Sequence, residues 1–226
     1  YAFARVADEL NLSIVDVDYK IKSSSDSIAE EYTENKEIEE DVKNMGKNWN
    51  DNILLAITPE TALVVIPHVH WIYGVVYNLE EISIKCRECN TLLVIDGSQS
   101  IGALPFNIDI IQPDALIVAT YKWMLGPYST AFGYFNNFFD NGVPIEETWM
   151  NRKNSKNFSN LIEHDRNYRM YSQRYNMGEF SEFIHGPMLE KAIDYMISCG
   201  GSNNIYKYIT TITTDFIVKL RNNHKF

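Results

Sequence analysis

Two charged residues each follow an apolar run with the composition of a buried strand. Lys122 comes directly after residues 115–121, and Asp96 comes directly after residues 92–95. Ligands of open α/β sheets bind outside the carboxyl ends of the strands, so both residues are site candidates by position. We therefore expect two neighbouring strands to bring an amine and a carboxylate to one edge of a sheet.

A lysine and an aspartate at one sheet edge suit pyridoxal phosphate. This cofactor needs a lysine amine for its Schiff base and an acidic partner for its pyridinium nitrogen. Either residue alone is a weak indication, because a lysine after a strand often extends into water and an aspartate before glycine often forms a turn. The occurrence of both, with Gln99 close to the aspartate, favours a cofactor site.

Composition and charge exclude several other classes of function. The chain has 226 residues, of which 45% are hydrophobic and 22% charged, as in an ordinary globular protein. A net charge of −10 argues against binding to nucleic acid or to an acidic membrane, since phosphate contacts need clustered lysine and arginine. No apolar run reaches the roughly 18 residues that span a bilayer. We expect a cytoplasmic protein with no membrane or nucleic-acid partner.

Strand-like and helix-like segments alternate along the chain. The predicted strands are residues 12–18, 62–66, 92–95, 115–121 and 132–135, and the predicted helices are residues 1–10, 52–57, 79–88, 187–196 and 205–225. Near-continuous apolar strands indicate burial on both faces, as parallel sheets require. The pattern predicts an α/β fold, a three-layer α-β-α sandwich with a mostly parallel central sheet.

Two further features have less weight as functional signals. The polar tract 22–52 is rich in acids, and it is either an acidic partner-binding face or a solvated helix or insertion, of which we favour the second. Cys86 and Cys89 form a CxxC spacing inside a predicted helix, with no second ligand pair nearby. A zinc or redox module therefore ranks last, and no metal site is expected.

Three segments together resemble the class V aminotransferases, the cysteine desulfurase-like enzymes of fold type I. They are Pro-His-Val-His-Trp-Ile-Tyr-Gly at 67–74, Val-Ile-Asp-Gly-Ser-Gln-Ser-Ile-Gly at 94–102 and Thr-Tyr-Lys-Trp-Met-Leu-Gly-Pro at 120–127. The resemblance implies a fragment of the large, pyridoxal-phosphate-binding domain. It places that domain at residues 1–199, with 200–226 as a connecting helix or the start of the small domain.

The resemblance also implies roles for individual residues. Lys122 would form the Schiff base, Asp96 would pair with the pyridine nitrogen, and Gln99 would donate to the phenolic oxygen of the ring. The remaining cofactor-binding candidates are Thr120 and Tyr121 as phosphate contacts, together with His70 and Trp71. Residues 174–181 lie where relatives place a loop that reaches the cofactor phosphate of the neighbouring subunit, so a homodimer is expected.

The sequence departs from the family pattern in ways that concern the substrate. Trp71 stands where many cysteine desulfurases have asparagine, and Cys199 does not occupy the position of their catalytic cysteine. The resemblance also places a stacking residue before Tyr1 and a carboxylate-binding arginine after Phe226. Two hypotheses follow: an enzyme acting on an amino acid by transamination, β-elimination or desulfuration, or epimerisation, and a truncated, non-catalytic remnant that binds at most cofactor or a protein.

Overall fold

The computed structural model describes residues 2–18, 35–160, 162–163, 165–178 and 182–222. Six α-helices lie in these ranges: α1 (Ala2–Leu10), α2 (Asn35–Ala56), α3 (Leu79–Glu88), α4 (Ile108–Ile111), α5 (His185–Ser198) and α6 (Gly201–Asn222). Four strands lie there too: β1 (Leu63–Pro67), β2 (Leu92–Asp96), β3 (Ala115–Ala119) and β4 (Ala131–Phe135). Short 3-10 helices at 137–139, 149–151, 158–160 and 171–175 interrupt the loop-rich segment that follows β4.

The four strands form one sheet in the order β1-β2-β3-β4. Strands β2 and β3 pair in parallel, with Val94 opposite Ala115, whereas β4 pairs antiparallel to β3. The Leu92 N–H donates to the Ala62 carbonyl oxygen where β1 and β2 begin, and the His68 N–H donates to the Asp96 carbonyl oxygen where they end. Strands β1 and β2 therefore also run parallel, and the predicted mostly parallel α/β sheet is confirmed.

The chain divides into two compact units. One comprises Tyr1–Val64 and Val69–Leu92, and the other comprises Val65–His68 and Leu93–Phe226. In the first unit, Trp49 and Ile53 of α2 and Ile82 of α3 are buried. In the second, Leu93, Ile95 and Val118 of the sheet are buried, whereas Val94 is half-buried and Ile117 is exposed. The predicted burial on both faces of the strands is therefore incomplete in this structure. The predicted boundary between residues 199 and 200 stays a prediction.

The helix and strand predictions were confirmed in outline and wrong in three places. Residues 12–18 form no strand, and the helix predicted at 52–57 is the end of the longer helix α2, which stops at Ala56. Strand β3 ends at Ala119, before the predicted end at residue 121. Residues 35–52 of the acidic tract are helical, as favoured above, while residues 22–34 lie outside the described part of the chain.

Asp114 joins the three strands β2, β3 and β4 at one end of the sheet. Its Oδ2 accepts the Leu93 N–H at 2.7 Å, and its Oδ1 accepts the Asn136 side-chain amide at 2.7 Å. Hydrogen bonds to a charged acceptor contribute more than neutral ones, and losing the acceptor leaves the Leu93 amide unsatisfied.

We expect Asp114→Ala to lower the free energy of unfolding by about 3 kcal/mol, since it removes two such bonds. Urea unfolding followed by circular dichroism measures the change. Asp109→Ala, at an exposed position in α4, is the control and should change stability by no more than about 0.5 kcal/mol. Equal effects of the two substitutions would show that the Asp114 carboxylate does not join the strands.

Candidate cofactor site

Asp96 ends β2 with its side chain exposed. Its Oδ1 accepts the Ser98 N–H at 2.8 Å, which closes a tight turn after the strand. The Ser98 hydroxyl oxygen in turn accepts the Ala119 N–H at 3.0 Å, at the end of β3. These two bonds fix the carboxylate beside the strand that precedes Lys122.

Gly97 allows this turn to lie close against the sheet. Its N–H donates to the Ile117 carbonyl oxygen at 2.9 Å. A Cβ at this position would lie 2.6 Å from Ile101 Cγ1 and 2.9 Å from Leu116 Cδ1. A larger residue would therefore push the Asp96 turn away from the sheet.

Lys122 lies in the turn that follows β3, not directly at the strand end as the sequence predicted. The chain leaves the strand direction after Ala119, because the Gly126 N–H donates to the Thr120 carbonyl oxygen at 2.9 Å. The Lys122 side chain is half-buried, and its Nζ lies 5.9 Å from the centre of the Tyr121 ring. The amine is therefore accessible at the same sheet edge as Asp96.

Gly102 brings the Asp96 and Lys122 loops into contact. It has a positive φ of 101°, and a Cβ there would lie 2.6 Å from the carbonyl oxygen of Trp123. Only glycine combines this backbone conformation with so close an approach. The loop carrying the acid thus packs directly on the residue next to the lysine.

Thr120 is fully buried and already has hydrogen-bonding partners. Its hydroxyl donates to the Thr130 carbonyl oxygen at 2.9 Å and contacts the Thr130 hydroxyl. The Thr130 hydroxyl donates to the Pro127 carbonyl oxygen at 2.8 Å. In this structure Thr120 holds the loop after Lys122 in shape, and its predicted contact with a phosphate stays a prediction.

Tyr121 and Gln99 lie beside the central pair with different surroundings. Tyr121 is exposed and stacks on Tyr128, with ring centres 4.6 Å apart and planes inclined by 15°. Gln99 is half-buried, and its side-chain amide forms no hydrogen bond to any other described residue. A free amide at this loop can donate to a ligand.

His70 and Trp71 belong to the first compact unit. The His70 ring stacks on Trp49 at 4.7 Å, and its Nδ1 accepts the N–H groups of Ile72 and Tyr73 at 3.2 and 3.3 Å. Trp71 is 73% exposed in the turn that His70 organises. The structure thus gives His70 a clear part in shaping its loop, while the roles of both residues toward a cofactor stay predictions.

His68 is a buried histidine beside the backbone of Asp96. It packs edge-on against Phe106, and its Nδ1 has no hydrogen-bond partner among the described residues. Burial disfavours the charged imidazolium and lowers the pKa of His68 to about 4. His68 is therefore neutral in the folded protein at physiological pH.

This shift predicts a loss of stability in mild acid. The unfolded chain takes up a proton at His68 below about pH 6.5, whereas the folded chain does so only near pH 4, so acid favours unfolding between these values. We expect the wild type to lose up to about 3 kcal/mol relative to His68→Phe as the pH falls from 6.5 to 4. Urea unfolding at a series of pH values measures the difference, and a pH-independent difference would contradict the assignment.

The described residues contain no group of three or more histidine, cysteine, aspartate or glutamate side chains placed to hold a metal ion. Cys86, Cys89 and Cys199 form no disulfide bond. None of the described helices combines the length and apolar character needed to cross a bilayer.

Comparison with known proteins identifies the family. The family model described as aminotransferase class-V matches residues 36–226. This chain belongs to the class V aminotransferase family. Class V aminotransferases use pyridoxal 5'-phosphate as cofactor, which agrees with the lysine and aspartate found at the sheet edge.

Individual relatives of this chain carry different names. An uncharacterized aminotransferase, YcbU of Bacillus subtilis, is 31% identical over 98 residues, which are 43% of this chain and 26% of that protein. The cysteine desulfurase IscS of Mannheimia succiniciproducens is 35% identical over 77 residues, 34% of this chain and 19% of that protein. Sequence similarity therefore reaches members with different reactions.

A solved structure shows the same fold. The apo form of a cysteine desulfurase from Thermococcus onnurineus NA1 matches with a TM-score of 0.62 at 19% identity. The match covers 97% of this chain and 48% of that protein. The chain thus spans about half the length of this solved relative and has the α/β fold of its pyridoxal-phosphate-binding domain.

Two residues that shape the site, Ser98 and Gly102, have no predicted role from the sequence. A serine two positions after an aspartate is typical of a side-chain-capped turn, so the Asp96 turn had a local signal. The sequence around Gly102 contains no such local signal. This position requires glycine because the Trp123 carbonyl packs against it in the folded chain.

Proposed function

We propose that this chain binds pyridoxal phosphate through Lys122 and forms part of an enzyme that acts on an amino acid. The observation that carries the proposal is the packing of the Asp96 loop on the Lys122 loop, with Gly102 against the Trp123 carbonyl oxygen. This contact keeps a carboxylate and an amine at one sheet edge, where an α/β fold binds its ligands.

The side chains available at this edge suit the cofactor. Asp96 is exposed, and only its Oδ1 accepts a hydrogen bond from a described residue, so its other oxygen can accept one from a protonated ring nitrogen. The Lys122 amine can bond covalently to a carbonyl carbon. The free amide of Gln99 supplies a neutral donor, and the exposed Tyr121 hydroxyl supplies a donor for an anionic group.

Pyridoxal phosphate supplies an electron sink that stabilises a carbanion next to a bound amine. The residues of this chain would orient it and move protons. Asp96 would hold the ring nitrogen in its protonated form through charge and hydrogen bonding. The Lys122 amine would accept and return a proton as a general base.

The reaction on the amino acid is the less defined part of the proposal. Named relatives include an aminotransferase and a cysteine desulfurase, and transamination, β-elimination and epimerisation all begin with the same proton removal. Trp71 presents an indole, not a small polar side chain, in the loop next to His70. We infer that the substrate differs from that of enzymes with asparagine at this place, that the enzyme is a homodimer, and that it is cytoplasmic.

The test is borohydride reduction of the purified chain after incubation with pyridoxal phosphate, followed by peptide mass spectrometry. We expect a visible absorbance band of lysine-bound cofactor and, after reduction, an adduct mapped to Lys122. Incubation with L-cysteine, and separately with L-alanine plus an oxo acid, then distinguishes sulfide release from amino-group transfer. A folded chain with no band and no adduct would instead support the non-catalytic remnant.

A further inference from the structure

A groove of about 540 Å³ lies between α2 and α3 in the first compact unit. Its apolar wall consists of Leu54 and Leu55 from α2 and Ile84 from α3. Leu55 is 79% exposed and Ile84 is 49% exposed. The groove is therefore an open trough with aliphatic side chains on both of its walls.

The two helices pack against each other through other residues. Trp49 and Ile53 of α2 and Ile82 and Cys86 of α3 are buried within the unit. The Asn78 N–H donates to Asn50 Oδ1 at 3.0 Å, which ties the start of α3 to α2. Because the inner faces hold the helices together, the groove is a preformed surface that can accept another chain.

The rim of the groove is acidic. Asp51, Glu81 and Glu88 surround the aliphatic walls, together with Lys85. Three carboxylates against one amine leave two net negative charges. None of the three carboxylates forms an ion pair with another residue in the described part of the chain.

We propose that this groove binds a basic amphipathic helix of a partner protein. An amphipathic helix places its apolar face in a hydrophobic groove through side chains at positions i, i+3, i+4 and i+7. Lysines flanking that face would meet the carboxylate rim, which steers association and selects partners by charge.

The partner-binding proposal is independent of the cofactor site. Its residues all lie in the first unit, whereas Asp96 and Lys122 lie in the second. A chain that fails to bind pyridoxal phosphate can therefore still bind the helix.

The test measures fluorescence anisotropy of a labelled lysine–leucine peptide of about 14 residues with helical leucine spacing. We expect it to bind the full chain. The double variant Leu55→Ser with Ile84→Ser should weaken binding at least about tenfold, as loss of central apolar contacts does in other interfaces. A matched double variant, Val143→Ser with Ile110→Ser, changes residues that are 71% and 49% exposed and should bind like the wild type.

A second pair of measurements tests the charge of the rim. Asp51→Asn with Glu88→Gln should weaken binding and make it less sensitive to added salt, because fewer charges then attract the lysines. A glutamate–leucine peptide of the same length should not bind. No binding by the wild type, equal binding by the groove and matched variants, or equal binding of the acidic peptide would each overturn the proposal.

Discussion

We expect Lys122→Ala to abolish the borohydride-stable adduct with pyridoxal phosphate. The amine of Lys122 is the nucleophile at the sheet edge beside Asp96, and alanine offers nothing that can bond to a carbonyl carbon. Any reaction of the full enzyme on an amino acid should fall by about 10²–10⁴-fold, since the base that moves the substrate proton is also lost. Peptide mass spectrometry measures the adduct, and steady-state kinetics measures the reaction.

Two controls separate chemistry from charge and from general labelling. Lys122→Arg keeps the positive charge but cannot supply a neutral amine, so it should behave like the alanine variant. Lys191→Ala removes an exposed lysine that pairs with Asp194 and should leave the adduct unchanged. An adduct that persists at full occupancy in Lys122→Ala would show that another lysine binds the cofactor.

The second large effect concerns the contact between the two loops of the site. Gly102→Ala would place a Cβ 2.6 Å from the carbonyl oxygen of Trp123 and 2.8 Å from its carbonyl carbon. Both atoms belong to the backbone, so neither can rotate away, and the φ of 101° adds strain for alanine. We expect the free energy of unfolding to fall by about 3 kcal/mol or more. Urea unfolding measures it.

Two other glycines separate the contributions of close contact and backbone strain. Gly201 has a positive φ of 71°, and no heavy atom lies within 4 Å of a Cβ added there. In Gly201→Ala, backbone strain alone should therefore lower the free energy of unfolding by about 1 kcal/mol. Gly186 lies in α5, its φ is outside the positive range, and no heavy atom lies within 4 Å of a Cβ added there. Gly186→Ala should therefore leave the free energy of unfolding unchanged or raise it slightly. If all three substitutions cost the same, the packing of Gly102 on Trp123 is not what positions the loops.

The elements nearest the site were the most predictable from sequence. The runs that end near Asp96 and Lys122 are short, continuous apolar segments with several β-branched residues, which are typical of strands in a parallel sheet. The charged residues after them are then placed at the sheet edge by the direction of the parallel strands. The pairing of β2 with β3, with Asp96 opposite Ile117, follows this expectation.

The predictions that were wrong concern segments whose structure depends on contacts with residues distant along the chain. Residues 12–18 alternate like a strand, but an alternating pattern forms a strand only where a partner strand is available, and the described sheet holds β1 to β4 only. Helix α2 was predicted too short because its polar sequence has a weak helical signal. Met45, Trp49 and Ile53, which are spaced four residues apart and buried, stabilise it through tertiary packing.

The sequence by itself determined the α/β fold, the family and the two residues whose chemistry suits pyridoxal phosphate, because each depends on residue types and local order along the chain. Only the tertiary structure decided how these residues are held: Gly102 against the Trp123 carbonyl, Ser98 between Asp96 and Ala119, and Thr120 enclosed by Thr130. The contacts of Gly102 with Trp123 and of Ser98 with Ala119 join residues that are 21 positions apart along the chain. Their geometry depends on the packed sheet, and no local pattern of residues encodes it.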